Sequence, residues 1–327
     1  MAFLFWGHMR LRIESCAHRS YWRRPRLPLL SAASIGIASV LLAPACAVDQ
    51  PQAPGSAPPK VVTTLPLFAD LVLQIGGDRM EVFALLPSGA DPHTFDPSPR
   101  DIERIRAADV VIVNGLGLET AALRVMERNL RKGTPLVKLA EETLAAGARS
   151  LKGNPHFWLD INNAREYARI IRDALTEADP EGRQEYEANY QRFLAQLDGL
   201  DRYVRDRVSS VPPERRKLVT THAAFPYLAQ YLGLQEVAVV APSPGQEPSL
   251  QDIAELERAI RAERVPAVFI EPQLGAESRV LKRAAADAGV KVCTLYADTL
   301  DDKVQSYVEM MRFNADEIAR CLGGSGG

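Results

Sequence analysis

The chain has 327 residues, of which 46% are hydrophobic and 24% charged, so it can bury one large core or two modest ones, and its composition excludes a disordered protein. Its 39 basic and 41 acidic residues leave a formal net charge of -2, which favours neither nucleic acid nor an anionic membrane surface. We therefore expect no nucleic-acid partner.

The N-terminal segment predicts export. An arginine-rich stretch precedes the apolar run LPLLSAASIGIASVLLAPACA, and this order is typical of a secretory signal peptide, here residues 1–47. Cys46 resembles the cysteine of a lipoprotein signal, so we expect the mature protein either free in the periplasm or lipid-anchored on the outer face of the cytoplasmic membrane. Residues 48–59 are rich in proline and small residues and are predicted to form a flexible tether.

Short β-branched runs alternate with segments of helical period from Lys60 onwards, and the alternation resumes from Lys217 after an interruption. This pattern is typical of an α/β protein with mainly parallel strands. We predict an N-terminal lobe over residues 60–180 and a C-terminal lobe over residues 211–327. The last helix is predicted to run from about Asp302 to Cys321.

The segment between the two lobes, residues 181–210, contains no proline and carries apolar residues at helical spacing. As one helix it would be roughly 40 Å long, at 1.5 Å per residue. We predict two lobes joined by this long, rigid α-helix. The alternative is an ordinary long helix packed within one lobe.

Three histidines remain beyond the predicted signal peptide. His93 follows the predicted strand EVFALLP, His222 ends the predicted strand KLVTTH, and His156 lies in a loop that leads into a helix. Asp298 follows the predicted strand KVCTLYA. Ligands of open parallel sheets bind outside the carboxyl ends of the strands, so these side chains are candidates for one site. Three imidazoles and one carboxylate suit Zn²⁺, with Mn²⁺ as the alternative.

Two cysteines, Cys293 and Cys321, lie in the predicted C-terminal lobe. They are either two buried thiols or a disulfide, which export would permit, and their spacing does not decide between the two. Neither has the spacing of a metal site.

Four separated motifs resemble the metal-binding family of ABC-transporter solute-binding proteins, the zinc and manganese receptors of bacterial uptake systems. They are TTLPLFADLVLQIGGDRMEVFALLPSGADPHTFDPSPRD, NPHFWLD, THAAFPYLAQYLG and FIEPQLGAESRVLKRAAADAGVKVCTLYADTL. The resemblance implies a monomer with one transported metal ion between two lobes, and an ABC permease with its ATPase as partners. Carried over by motif, the metal ligands are His93, His156, His222 and Asp298.

The sequence departs from the family pattern in two places. The usual DPHVWLDP is NPHFWLDI here, which keeps the histidine and changes its surroundings. The segment AEETLAAGARSLKGNPH lacks the His/Asp-rich loop that many zinc receptors of the family carry. Manganese receptors usually have glutamate in place of His222, so the ligand set favours zinc although the loop is missing.

Three alternatives remain open at this point. An exported zinc metallohydrolase could use the same histidines with Asp298 or Glu271 as general base, but four protein donors leave no open position at a tetrahedral ion. We therefore expect a receptor, with no catalytic residues and no bound cofactor, rather than an enzyme. Glu271 could replace Asp298 as the fourth ligand. A metal-binding adhesin or chaperone could be built on the same site.

Overall fold

The computed structural model describes residues 57–241, Gly245 and residues 248–323. The predicted signal peptide, Cys46 and most of the predicted tether lie outside the described residues. Within them, no helix combines the length and apolarity that crossing a membrane requires.

The first half of the described chain alternates strands and helices and ends in three consecutive α-helices. These elements are β1 (Lys60–Thr63), α1 (Pro66–Gly76), β2 (Glu81–Ala84), α2 (Pro99–Ala107), β3 (Val110–Val113), α3 (Thr120–Asn129), β4 (Leu136–Lys138), α4 (Leu139–Ala145), α5 (Ile161–Ala178) and α6 (Arg183–Ser209).

The second half repeats the alternation. These elements are β5 (Lys217–His222), α7 (Pro226–Leu232), β6 (Gln235–Ala241), α8 (Leu250–Ala262), β7 (Ala267–Ile270), α9 (Gly275–Ala288), β8 (Lys291–Thr294) and α10 (Tyr307–Leu322).

The strands form two four-stranded parallel sheets, one in each lobe, which confirms the predicted α/β class. Their orders are β2-β1-β3-β4 and β6-β5-β7-β8, so the two sheets share one topology. Two of the middle strands, β3 and β7, are apolar along their length, and β3 is wholly buried, because helices cover both faces of a parallel sheet. In each sheet the second strand along the chain pairs with one edge of the first strand, and the third strand pairs with its other edge. A ligand site is expected there, at the carboxyl ends of the strands.

The long helix is present as α6, with 27 residues. One face of it is buried along its whole length, from Tyr186 through Leu197 to Val208. That face packs against α1 and α5 on the N-terminal side and against α10 on the C-terminal side. The helix is therefore embedded in both lobes, and it neither spans a gap nor belongs to one lobe alone.

The two lobes also share one continuous apolar core, and Trp158 lies at its centre. Its ring packs edge-on against Phe68 of α1, with 5.5 Å between the ring centroids. Its indole N–H donates to the carbonyl of Ala297, 2.9 Å away in the C-terminal lobe. The Tyr307 hydroxyl donates to the carbonyl of Trp158 at 2.8 Å. These contacts leave little freedom for the lobes to separate.

The predicted start of the last helix is wrong by five residues. The carboxylate of Asp301 accepts the backbone N–H groups of Lys303 and Val304, at 2.8 and 3.1 Å, and so holds these residues in a turn. Ser306 then caps α10 by accepting the N–H of Glu309. The helix therefore begins at Tyr307 instead of Asp302.

The two cysteines of the C-terminal lobe form a disulfide, Cys293–Cys321, which joins β8 to α10. Glu317 lies close enough to complete a possible group of metal ligands with the two sulfurs. Because the sulfurs are bonded to each other, this group offers no thiolate to a metal.

Candidate metal centre

The loop after β2 presents His93. The Asp91 carboxylate accepts the backbone N–H of His93 at 3.0 Å and the hydroxyl of Thr94 at 3.2 Å, which folds the segment into a turn around Pro92. The His93 side chain is 16% exposed, and its Nε2 is buried without a hydrogen-bond partner. Burial lowers the pKa of His93, so this imidazole is neutral and can act as a donor to a metal.

A second turn of the same kind presents His156. Asn154 Oδ1 accepts the backbone N–H of His156 at 3.0 Å and lies 2.9 Å from its ring Nδ1. Because an amide oxygen only accepts, Nδ1 carries the proton and the lone pair of Nε2 is free. Burial also lowers the pKa of His156, which keeps the ring neutral.

His222 is the last residue of β5. Its Nδ1 lies 2.8 Å from Glu271 Oε1, and the same carboxylate oxygen accepts the hydroxyl of Thr221. The Nδ1 proton therefore points at Glu271, and Nε2 faces Asp298. Burial would lower the pKa of His222, but Glu271 and Asp298 outweigh it and raise the pKa well above its ordinary value.

Asp298 lies in the loop after β8 and is completely buried. Its carboxylate oxygens lie 3.2 Å from Nε2 of His156 and 3.3 Å from Nε2 of His222, and neither oxygen has a partner with hydrogen-bond geometry. Burial would raise the pKa of Asp298, but the facing imidazoles of His156 and His222 hold it well below its usual range. A buried carboxylate without a hydrogen-bond partner is costly unless a positive charge lies beside it, which a metal ion or a protonated imidazole supplies.

The four predicted ligands converge on one point. One donor atom from each of His93, His156, His222 and Asp298 lies within 4.8 Å of the other three. The two closest Nε2 atoms, of His156 and His222, are 3.3 Å apart. Donors at 2.0–2.1 Å from a tetrahedral Zn²⁺ are separated by roughly 3.3 Å, so these spacings fit a single ion.

The geometry separates Asp298 from Glu271, the alternative fourth ligand. Asp298 faces the Nε2 atoms, whereas Glu271 binds the opposite nitrogen of His222. A carboxylate in that second position fixes the tautomer of the imidazole and increases its basicity as a ligand. Glu271 therefore orients His222 and does not face the point where the donors meet.

Two supporting residues, Asp91 and Asn154, were missed by the sequence reasoning. A signal for both was present, because each loop ligand is the last residue of an Asx-Pro-His triplet. Asp91 begins the triplet that ends at His93, and Asn154 begins the one that ends at His156. In both triplets the Asx oxygen accepts the histidine N–H at 3.0 Å. The prolines stiffen these turns and reduce the entropy lost in holding the ligands.

A cavity of about 660 Å³ opens onto the site and gives an ion a path to it. All three histidines line it, together with Asn154 and the basic side chains of Arg149 and Lys152. Two basic side chains, and no His/Asp-rich loop, therefore line the entrance to the site.

Comparisons with known proteins agree on one family. A model of the family described as zinc-uptake complex component A, periplasmic, matches residues 61–321. The manganese-binding lipoprotein MntA of Halalkalibacterium halodurans is 30% identical over 268 residues, covering 80% of this chain and 88% of that protein. The manganese ABC transporter substrate-binding lipoprotein PsaA of Streptococcus mitis is 27% identical, covering 87% of this chain and 96% of that protein.

A solved structure gives the same result. The periplasmic zinc binding protein TroA from Treponema pallidum superposes with a TM-score of 0.75 at 32% identity, covering 81% of this chain and 99% of that chain. The names of these relatives refer to manganese in two cases and to zinc in one.

Proposed function

Since the chain belongs to the periplasmic family of zinc-uptake complex component A, we propose that it captures one divalent transition-metal ion and delivers it to an ABC permease powered by its ATPase. Family membership confirms the predictions of an exported metal receptor and of a protein that is not an enzyme. The disulfide Cys293–Cys321 is consistent with an oxidising compartment outside the cytoplasm. In that compartment the receptor is either free or anchored through Cys46.

One observation carries the assignment of the ligands. The donor atoms of His93, His156, His222 and Asp298 meet around one point, while the remaining nitrogens of His156 and His222 are bonded to Asn154 and Glu271. This is the arrangement of a metal site with its supporting shell. The metal is the transported cargo, and four protein donors leave no open position for a hydrolytic water.

Zinc is the proposed cargo, with manganese as the competitor. Zn²⁺ accepts a tetrahedral set of three imidazoles and one carboxylate, whereas Mn²⁺ binds more weakly in the general affinity order and favours oxygen donors. Because the names of the relatives include both metals, they do not favour either one. The choice of zinc therefore rests on the donor set. Spacings between 3.2 and 3.9 Å from the Nε2 atoms to Asp298 leave a small site suited to four ligands.

A competition experiment tests the proposal. Protein refolded without metal is dialysed against equal free concentrations of Zn²⁺ and Mn²⁺, and the bound metals are counted. One zinc ion per chain, retained against excess manganese, is the expected result. Preferential retention of manganese would refute the choice of metal, and retention of neither would refute the receptor function. His93→Ala should lose the ion, whereas Glu271→Gln should keep it because Glu271 is outside the donor set.

Delivery needs a separate test. The metal-loaded receptor, added to the reconstituted permease and ATPase, should stimulate ATP hydrolysis more than the His93→Ala variant does. Equal stimulation by both proteins would show that delivery does not depend on the bound ion.

A further inference from the structure

Asn154 makes contacts on both sides of the interface between the lobes. Its Oδ1 accepts from the backbone N–H and the ring Nδ1 of His156. Its Nδ2 donates to the carbonyl of Ala223 at 2.6 Å. Ala223 directly follows His222, the ligand at the end of β5. One side chain thus connects a ligand of the N-terminal lobe to the segment that carries a ligand of the C-terminal lobe.

The amide of Asn154 serves both of these contacts at once. The imidazole needs an acceptor and the carbonyl of Ala223 needs a donor, and asparagine supplies both from one planar group. An aspartate could accept from His156 but would place a carboxylate oxygen against the carbonyl oxygen of Ala223. The orientation of the amide is thus determined by its two partners.

The surrounding contacts keep Asn154 at the interface. The N–H of Leu151 donates to the hydroxyl of Tyr227 in α7 at 3.1 Å, and the rings of Phe157 and Tyr227 pack with 4.5 Å between their centroids. The segment before His156 is therefore docked on the segment after His222. Of these three interface contacts, only the Asn154 contact reaches a ligand imidazole.

We propose that Asn154 is a positioning residue that ties His156 to the segment after His222, so that ligands from the two lobes are held at the spacing one ion requires. This role rests on the proposed metal-receptor function. It differs from the role of Glu271, which orients His222 from within the same lobe.

The test uses Co²⁺ as the only probe, because its visible spectrum reports the number and arrangement of its ligands. Asn154→Asp keeps the acceptor for His156 and removes the donor to Ala223, and Asn154→Ala removes both. Asn163→Asp is the matched control, since the Asn163 amide donates to the carbonyl of Phe157 at 3.1 Å in the same segment, without crossing to the other lobe. Hydrogen exchange of the peptide over residues 223–229 follows the C-terminal lobe in each protein at saturating Co²⁺.

Both Asn154 variants should change the Co²⁺ spectrum, with the visible absorption lowered by about twofold, because supporting residues hold ligands in place. The backbone amide hydrogens over residues 223–229 should exchange about tenfold faster in both variants than in the wild-type protein. The control should match the wild type in both measurements. A wild-type spectrum in Asn154→Asp would overturn the proposal, whether or not Asn154→Ala differs. Loss of stability with an unchanged spectrum would also overturn it. If the wild-type protein retains neither Zn²⁺ nor Mn²⁺ in the competition experiment described above, the proposed function itself fails, which is a distinct result.

Discussion

Metal binding should displace one proton, and that proton should come from His222. Glu271 and Asp298 lie on opposite sides of this imidazole, 2.8 and 3.3 Å from its two nitrogens, and they raise its pKa well above the ordinary value. Its Nε2 therefore holds a proton in the metal-free protein at neutral pH, and an ion must replace it. Burial lowers the pKa values of His93 and His156, so these rings contribute no further proton.

The number of protons sets the pH dependence of affinity. If one proton is displaced, affinity rises about tenfold for each pH unit as long as the pH stays below the raised pKa of His222, so affinity should still rise between pH 7.5 and 8.5. Three histidines with ordinary pKa values near 6.5 would already be neutral there, and affinity would then rise by less than about 1.5-fold. From pH 5.5 to 7.5 the single proton predicts about a hundredfold rise, and three ordinary histidines predict about a thousandfold rise.

The measurement is zinc affinity against a calibrated chelator from pH 5.5 to 8.5, with proton release measured by calorimetry in buffers of different ionisation enthalpy. Glu271→Gln is the matched variant, because it keeps an acceptor for Nδ1–H and removes one of the two charges that raise the pKa of His222. Its affinity should rise less steeply than that of the wild-type protein between pH 7.5 and 8.5. A flat profile in the wild-type protein would refute the assignment of the proton to His222, as would an unchanged slope in Glu271→Gln.

Three further predictions concern stability and shape. Zinc at about a hundred times its dissociation constant should add about 2.7 kcal/mol to the free energy of unfolding, which raises the melting temperature by roughly 5–10 °C. His93→Ala should abolish that rise with little change in the stability of the metal-free protein. His222→Ala should also lower the stability of the metal-free protein, because it leaves the buried Glu271 carboxylate without its imidazole partner. A full zinc-induced rise in either variant would contradict the ligand assignment. Small-angle scattering should give nearly the same radius of gyration with and without zinc, because α6 and the shared core resist hinge closure, and a large contraction would refute this. Replacing Cys293 and Cys321 by serine should lower the free energy of unfolding by about 3.5 kcal/mol, the closure entropy of the loop between these residues, while the zinc-induced rise in melting temperature persists. An unchanged melting temperature of the metal-free protein would refute the contribution of the disulfide.

The order of strands and helices could be predicted because parallel strands and amphipathic helices leave distinct periodicities. The run Val110–Val113 is apolar throughout, as a strand covered on both faces must be. The boundary that failed depends on a side chain instead. Asp301 delays the start of α10 by accepting the backbone N–H groups of Lys303 and Val304.

His93, His222 and Asp298 were predicted from the rule that sites lie at the carboxyl ends of parallel strands, and His156 was predicted from its loop and its family motif. Their supporting contacts could not be predicted in the same way. Glu271 is 49 residues from His222, and Ala223 is 69 residues from Asn154. Such pairs meet only after the sheets and the two lobes have assembled. The strand-end rule and the family motifs therefore predicted the four donors but not the residues that fix their tautomers.

The two Asx-Pro-His triplets show where local prediction ends. Each predicts the same turn, and each forms it, with an Asx oxygen 3.0 Å from the histidine N–H. The remaining atom of the Asx side chain then makes a different contact in each turn. In Asp91 it accepts from the neighbouring Thr94, so the turn is closed on itself. In Asn154 it donates across the interface to Ala223. The difference between carboxylate and amide is visible in the sequence, but its consequence depends on which lobe faces the turn, and only the assembled fold supplies that partner.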